Sequence, residues 1–173
     1  SAEVLDGIRQ LDLDALIGIG GDGSMRILKR LADQGNLPFV GIPKTIDNDV
    51  RGTERTVGFD TAVATATDAL DRLHTTAQSH RRVLILETMG RYAGWLALWA
   101  GAASGADVIL LPERPYALGE VARVCQLRER GGQRFTLIAV AEGARPEGGA
   151  LSVRDVVAGS PDPVRLGGAG AAL

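Results

Sequence analysis

The alternation of short apolar runs with longer segments of helical periodicity constrains the fold of this chain more than any other feature. The apolar runs are rich in Val, Ile and Leu and nearly continuous, which is typical of strands covered on both faces. They lie at residues 15–19, 37–42, 82–87, 107–111 and 134–141. The intervening helical segments lie at residues 24–34, 61–73, 92–103 and 118–130. The sequence therefore predicts an α/β fold of doubly wound, mostly parallel sheets.

Composition and charge exclude several classes of protein. The chain has 173 residues with 45% hydrophobic and 23% charged side chains, which is ordinary for a globular domain. No apolar run reaches the roughly 18–20 residues that span a bilayer. A formal net charge of −2 gives no nucleic-acid-binding surface. Cys125, the single cysteine, excludes an internal disulfide and fits a reducing compartment, so we expect a cytoplasmic protein.

A first acidic loop follows the first predicted strand and reads Gly20, Gly21, Asp22, Gly23, Ser24. Glycines allow a polyphosphate to approach the backbone, and a helix that begins near Ser24 offers unpaired N–H groups. An aspartate facing phosphates is electrostatically reasonable when Mg²⁺ lies between them. The alternative is a plain glycine turn in which Asp22 caps the helix.

A second acidic loop, residues 41–49, follows the second predicted strand and carries Asp47 and Asp49. A hydroxyl that attacks a phosphoryl group needs an acceptor for its proton, and one of these carboxylates can fill that role. The alternative is a turn in which the side chains of Asp47, Asn48 and Asp49 bond their own backbone. Lys44 either neutralises a phosphate or pairs with one of the acids. Because neighbouring parallel strands end at one sheet edge, the two loops together predict a phosphoryl-transfer site.

Two further loops follow the third and fifth predicted strands. In the first of them, Gly90 permits close backbone contact beside Met89, and Arg91 is suited to binding a phosphate. In the second, Glu142 is suited to accepting a hydrogen bond from a sugar hydroxyl, with a plain turn acid as the alternative. Arg82 adds positive charge before the third strand, where a solvated basic edge is the alternative.

These residues together resemble the 6-phosphofructokinase family over nearly the whole chain. The matching segments are, in order, Gly-Gly-Asp-Gly-Ser at residues 20–24, Pro-Lys-Thr-Ile-Asp-Asn-Asp at 43–49, Gly-Phe-Asp-Thr-Ala at 58–62, Met-Gly-Arg at 89–91 and Ala-Glu-Gly at 141–143. The resemblance implies two Rossmann-like lobes. With the polar segment 50–58 as the boundary, we expect a phosphate-donor lobe at residues 1–58 and a sugar-phosphate lobe at residues 59–173.

The resemblance also implies roles for the residues of the donor lobe. Asp47 matches the general base that takes the proton of the sugar 1-hydroxyl, and Thr45 matches a residue that contacts the sugar and the transferred phosphoryl group. Asp22 matches the Mg²⁺-associated aspartate, and Asp49 its supporting acid. Lys44 completes the expected catalytic set. The expected donor-binding residues are Gly21, Asp22, Gly23 and Ser24.

In the sugar-phosphate lobe, the matching residues imply a shared site. The expected sugar-binding set is Met89, Gly90, Arg91 and Glu142. Arg82 matches an arginine that reaches the 6-phosphate in a neighbouring subunit's site, which implies a homo-oligomer, either a dimer or a tetramer. The implied activity is transfer of a phosphoryl group from Mg-ATP to the 1-hydroxyl of fructose 6-phosphate, the glycolytic step that forms fructose 1,6-bisphosphate.

Two residues bear on the identity of the phosphoryl donor. In the family, glycine after the Mg²⁺-associated aspartate, as Gly23 is here, leaves room for ATP, whereas aspartate accompanies pyrophosphate. Lys44 is typical of pyrophosphate users. The combination resembles a mixed subgroup that is usually ATP-dependent. We therefore expect ATP, with a pyrophosphate-dependent phosphotransferase as the alternative.

The sequence also departs from the family pattern at both ends. The family's opening strand with its glycine-rich turn is absent before Ser1, and its His- and Arg-bearing segment is absent before the chain stops at Leu173. We therefore expect an incomplete first lobe and a central fragment that is inactive or impaired by itself. The remaining alternative is a truncated, non-catalytic relative with a binding or regulatory role.

Overall fold

The structure is a computed structural model that describes residues 2–160 and 163–173. Its elements are, in chain order, α1 (Ala2–Gln10), β1 (Leu16–Gly20), α2 (Asp22–Gly35), β2 (Phe39–Pro43), α3 (Phe59–His80), β3 (Val83–Thr88), α4 (Trp95–Ser104), β4 (Val108–Leu110), α5 (Leu118–Arg130), β5 (Thr136–Ala141), β6 (Val153–Val156) and β7 (Val164–Leu166). Across these residues, none of the helices has both the length and the apolar character that a membrane crossing requires.

The described strands form three sheets. β1 and β2 pair in parallel, and a second parallel sheet has the order β3-β5-β4. β6 and β7 form an antiparallel pair. The α/β alternation and the parallel pairing confirm the predicted fold class. The chain divides into two units, Ser1–Phe59 and Asp60–Leu173.

In the first unit, α2 packs against one face of the β1–β2 pair. Gly18 is buried on that face, where an added Cβ would lie 2.5 Å from Leu28 Cδ1 of the helix. Side chains alternate along a strand, so Ile17 and Ile19 point to the opposite face.

That opposite face is exposed, contrary to the expectation that strands of this composition are covered on both sides. Ile17, Ile19 and Val40 are 67%, 64% and 61% exposed. The strand register pairs Ile17 with Val40 and Ile19 with Ile42, so these apolar side chains lie next to one another. In this unit, therefore, α2 covers only one of the two faces.

In the second unit, helices cover both faces of the sheet around β5, whose residues are all buried. Ala139 packs in one cluster with Leu70 of α3 and Ala100 of α4. Its neighbour Val140 belongs to another cluster, which includes Val121 of α5. This arrangement confirms the doubly wound architecture for this unit.

The observed bounds of the predicted elements differ mainly at one helix. α3 continues to His80 instead of ending at residue 73. The extension is polar except for Ala77, which is fully buried and continues the spacing of Leu70 by two helical turns. The sequence pattern does not predict α1, β6 or β7. α1 has no buried residue among those described, and all four residues of β6 are exposed, so neither leaves a core-facing pattern.

Candidate active site

The first acidic loop joins β1 to α2. Gly21 is the N-cap residue, with φ −81° and ψ −177° and no side-chain capping bond, and Asp22 lies in the first turn of the helix. Asp22 is therefore not the helix cap of the alternative interpretation. Its Oδ2 forms a salt bridge with Arg26 Nη2 at 2.9 Å, and its side chain is 43% exposed. The first N–H groups of a helix lack helical partners, so this end of α2 combines free donors with one accessible carboxylate.

The second acidic loop leaves the same sheet edge, as the sequence predicts. β1 and β2 pair up to Gly20 and Pro43, and the Lys44 N–H donates to the Gly20 carbonyl at 2.9 Å. A Cβ built on Gly21 would lie 3.5 Å from Thr45 Cβ, so the two loops are in contact distance where they begin. The first unit thus brings the Asp22 loop and the Thr45–Asp47 segment together.

Asn48 and Thr56 hold the second loop in shape, and sequence reasoning missed both roles. Asn48 has a left-handed backbone with φ 54°, and its Oδ1 accepts a hydrogen bond from the Thr56 N–H at 2.9 Å. The Thr56 hydroxyl donates to the Thr45 carbonyl at 2.7 Å. The Asp47 N–H donates to Thr45 Oγ1 at 3.2 Å. These hydrogen bonds fix the backbone that carries Asp47 and Asp49. Asp47 is partly buried, and Asp49 is exposed.

In the second unit, the loops after β3 and β5 meet at the carboxyl edge of their sheet. β3 and β5 are parallel neighbours, and the Glu142 N–H donates to the Thr88 carbonyl at 2.9 Å. The Gly143 N–H donates to the Gly90 carbonyl at 3.1 Å. The structure therefore brings the predicted residues Met89, Gly90, Arg91 and Glu142 to one place.

Two glycines make this close approach possible. Gly90 has φ 141°, a conformation that residues with a side chain rarely adopt. A Cβ on Gly143 would lie 2.1 Å from the Arg91 carbonyl oxygen, which is well inside contact distance. The guanidinium of Arg91 donates a hydrogen bond to the Val164 carbonyl. One of the N–H donors of this predicted phosphate-binding residue is therefore occupied by a contact within the unit.

Arg82 lies apart from these residues within its own chain. It precedes Val83 at the amino end of β3, whereas Met89 follows the carboxyl end. The six residues of β3 separate the two positions by about 20 Å. Arg82 is exposed, and its expected contact with a neighbouring subunit's substrate stays a prediction.

Asp22 in the first unit is suited to binding Mg²⁺ together with the phosphates of a nucleotide. Over residues 2–160 and 163–173, no three His, Cys, Asp or Glu side chains are close enough together to hold a metal ion by themselves. Mg²⁺ in phosphoryl-transfer sites is usually bound by one or two carboxylates together with substrate phosphates. Asp22, accessible beside the amide donors of α2, matches that mode and would be the ligand.

Comparisons with known proteins agree on one family. A protein-family model described as phosphofructokinase matches residues 1–162. The ATP-dependent 6-phosphofructokinase 2 of Clostridium perfringens is 50% identical over 164 residues, which cover 95% of this chain and 44% of that protein. The ATP-dependent 6-phosphofructokinase 1 of Nostoc sp. is 58% identical over 151 residues, covering 87% of this chain and 42% of that protein.

Solved structures agree with this result. The structure of phosphofructokinase from Saccharomyces cerevisiae matches with a TM-score of 0.72 at 35% identity, covering 84% of this chain and 23% of that one. The chain thus spans less than half the length of the two bacterial relatives. Because the family model matches almost all of it, the chain belongs to the phosphofructokinase family.

Proposed function

We propose that this chain contributes to a 6-phosphofructokinase that transfers the γ-phosphoryl group of Mg-ATP to the 1-hydroxyl of fructose 6-phosphate. The observation that carries the proposal is the meeting of the Asp22 loop with the Thr45–Asp47 segment at one sheet edge. It brings a polyphosphate-binding helix end and a candidate base to neighbouring backbone positions. The bacterial relatives named above are ATP-dependent 6-phosphofructokinases, which supports ATP as the donor.

In the proposed reaction, Asp47 accepts the proton of the sugar 1-hydroxyl while that oxygen attacks the γ-phosphorus. The new bond joins the sugar oxygen to phosphorus, and the bond from phosphorus to the β,γ-bridging oxygen breaks, so ADP leaves with the electron pair. The hydroxyl oxygen of Thr45 accepts a hydrogen bond from the Asp47 N–H. Thr45 contacts the sugar and the phosphoryl group that is being transferred. Asp22 would hold Mg²⁺, with Asp49 as the supporting acid, and the ion would neutralise charge on the phosphates.

The remaining residues bind and orient the two substrates. The backbone of Gly21, Gly23 and Ser24 at the start of α2 faces the phosphates of the donor, since helix N-termini attract anions. Lys44 neutralises negative charge beside the second acidic loop. The residues proposed to bind fructose 6-phosphate are Met89, Gly90, Arg91 and Glu142.

The position of Arg82 supports the shared assembly that the family resemblance implies. An exposed arginine at the amino end of β3 is suited to a phosphate in a neighbouring copy rather than to the site of its own unit. The proposed enzyme is therefore a homo-oligomer, a dimer or tetramer, with shared active sites. We place it in the cytoplasm, where ATP and sugar phosphates are available.

The replacement Asp47→Ala, made in a complete enzyme that contains this chain, tests the proposed base. We expect kcat to fall by roughly 10²- to 10⁴-fold, because the proton acceptor is lost, while the KM for fructose 6-phosphate changes little. Coupled measurement of ADP release at varied sugar concentration gives both constants. Asp33→Ala is the matched control, since Asp33 is an exposed acid of the same unit that pairs with Lys29. An unchanged kcat in Asp47→Ala would exclude Asp47 as the base.

A second candidate donor is pyrophosphate, because the family resemblance makes Lys44 the residue typical of pyrophosphate users; Lys44 is exposed beside the second acidic loop. A pyrophosphate-dependent enzyme would use the same loops and the same base. Measuring turnover with ATP and with pyrophosphate at equal Mg²⁺ distinguishes the two. We expect turnover with ATP to dominate, and dominant turnover with pyrophosphate would replace the first proposal by the second.

A further inference from the structure

Glu87, which the proposed mechanism does not use, holds a distant turn of its unit with both carboxylate oxygens. Oε1 accepts a hydrogen bond from the Gly168 N–H at 2.9 Å, and Oε2 accepts one from the Gly170 N–H at 2.8 Å. Hydrogen bonds to a charged carboxylate are stronger than those between neutral groups. Two of them acting together fix the orientation of the turn as well as its distance from β3. Residues 167–170 are called the glycine turn below.

The glycine turn is shaped to receive this carboxylate. Gly167 and Gly168 have φ 147° and 91°, so the turn adopts a backbone that favours glycine at two successive positions. A Cβ on Gly170 would lie 3.3 Å from Glu87 Oε2 and 3.2 Å from Ile85 Cγ2, so little room remains between the turn and β3. Backbone N–H groups that converge in this way form an anion-binding concavity, and here the anion is a side chain of the same protein.

A second side chain, that of Arg91, also binds the C-terminal segment that contains the glycine turn. Glu87 precedes Met89 and Gly90 in the chain, and Arg91 follows them. The Arg91 guanidinium donates to the carbonyl of Val164, the first residue of β7, and β7 leads directly into the glycine turn. The segment 164–170 is therefore held by Glu87 before the Met89 loop and by Arg91 within it. Movement of the glycine turn would displace the acceptor on which the direction of the Arg91 guanidinium depends.

We propose that Glu87 is a positioning residue for the sugar-phosphate site. Its carboxylate fixes the glycine turn against the carboxyl end of β3, so that β7 presents a fixed acceptor to Arg91 and the loop of Met89, Gly90 and Arg91 keeps one arrangement. The inference rests on the proposed role of that loop in binding fructose 6-phosphate. Buried Leu166 and Ala169 also anchor the segment, and their apolar packing is the purely structural alternative.

The replacement Glu87→Gln tests the two hydrogen bonds to the glycine turn, because glutamine has nearly the same volume as glutamate. One acceptor oxygen becomes an NH₂ group, which cannot accept a hydrogen bond from the glycine N–H that it faces. The matched control is Asp107→Asn at the other end of the same sheet, where the Asp107 carboxylate accepts a hydrogen bond from the Leu137 N–H at 2.9 Å and pairs with Arg128 at 2.8 Å. Both variants lose a carboxylate that binds a backbone amide.

Nuclear magnetic resonance of the 173-residue chain supplies a readout that does not depend on activity. The chain has two methionines, so Met89 reports on the loop and Met25 serves as a probe in the other unit. In Glu87→Gln we expect shifted Gly168 and Gly170 amide signals, about tenfold faster hydrogen exchange at one of them, and shifted Met89 methyl and Arg91 Nε–H signals. Asp107→Asn should shift the Leu137 amide and leave the Met89 and Arg91 signals unchanged.

Steady-state kinetics of a complete enzyme that contains this chain give the second readout. We expect Glu87→Gln to raise the KM for fructose 6-phosphate about tenfold, with kcat changed less than about threefold, because binding geometry rather than proton transfer is altered. Asp107→Asn should leave this KM within about twofold of the unaltered protein, since its lost bond lies at the opposite end of the sheet.

The two readouts separate failure of this inference from failure of the proposed function. Glycine amide signals that do not respond to Glu87→Gln would show that Glu87 does not hold the turn and overturn the inference. If the glycine signals respond and the Met89 and Arg91 signals do not, Glu87 stabilises the turn without positioning the Met89 loop. That outcome would also overturn the inference. Absence of sugar-dependent turnover in a complete enzyme that contains this chain counts against the proposed function, and the resonance result then decides the role of Glu87 alone.

Discussion

Among single residues, Gly23 offers the clearest experimental test of where the phosphoryl donor binds. It is the second residue of α2, directly after Asp22, and it is exposed. A Cβ added there would meet no atom within 4 Å. A side chain at this position therefore changes charge without a clash, so its effect on a bound donor can be interpreted as electrostatic.

We expect Gly23→Asp to raise the KM for ATP about tenfold, because a second carboxylate beside Asp22 repels the polyphosphate. Initial rates at varied ATP and fixed fructose 6-phosphate measure this change. The same charge favours the folded helix slightly, since it lies near the positive end of the helix dipole. Stability should therefore not fall, and a loss of ATP affinity cannot be attributed to unfolding.

Gly119→Asp is the matched control for this prediction. Gly119 is the second residue of α5, and a Cβ there also meets nothing within 4 Å. The control adds the same charge at the same helical position, away from the proposed donor site. An equal change in the KM for ATP in both variants, or no change in Gly23→Asp, would contradict the location of the donor at the start of α2.

The sequence could predict some site residues and not others, for a physical reason. Asp22 and Asp47 follow apolar runs, and the ends of neighbouring parallel strands necessarily share a sheet edge. The role of Glu87 left no such sign, because its partners Gly168 and Gly170 are distant in sequence and bind through their backbone. Asn48 was visible only as a residue suited to a turn, and its bond to Thr56 depends on how the loop folds back.

At the scale of secondary-structure elements, burial explains which predictions succeeded. The strands of the β3-β5-β4 sheet leave apolar runs because they pack between helices, whereas β1 and β2 carry such runs although α2 covers only one face of their sheet. All five predicted strands lie within two residues of the observed ones. α1, β6 and β7 lack such a run. β6 and β7 depend on their antiparallel pairing, which includes an irregularity between Val153 and Asp155 that breaks any regular alternation.

The contact between the loops after β3 and β5 makes a prediction about stability. Gly143→Ala should lower the free energy of unfolding by about 3 kcal/mol or more, because the new methyl group would overlap the Arg91 carbonyl oxygen and backbone must move to relieve it. Urea unfolding followed by circular dichroism measures the change. The same variant should lose sugar binding, since the displaced backbone is that of the Met89 loop.

Gly132→Ala separates this steric effect from backbone strain. Gly132 has φ 88° and open space around its Cβ position. It should lose only about 1 kcal/mol, the cost of placing alanine in a left-handed conformation. A loss in Gly143→Ala no greater than in Gly132→Ala would show that the two loops are not tightly packed at the carboxyl edge of the sheet.

At the scale of the whole molecule, the bare face of the β1–β2 sheet should dominate behaviour in solution. Its members are neighbouring apolar side chains, Ile17, Ile19, Val40 and Ile42. Contiguous exposed apolar surface of this kind is an interaction site or an aggregation liability. We therefore expect the 173-residue chain to self-associate and to enhance the fluorescence of a hydrophobic dye.

The double variant Ile17→Lys with Val40→Glu should suppress both effects. The two positions face each other across the strand pair, so the introduced charges attract rather than repel. Both side chains are already exposed, so the free energy of unfolding should change by no more than about 1 kcal/mol. Leu127→Lys, at a half-exposed position on α5, removes a comparable apolar side chain outside the patch and should leave association unchanged. Sedimentation velocity distinguishes the outcomes: a monomeric unaltered chain, or equal association in the double variant and the Leu127 control, would show that this face does not drive association.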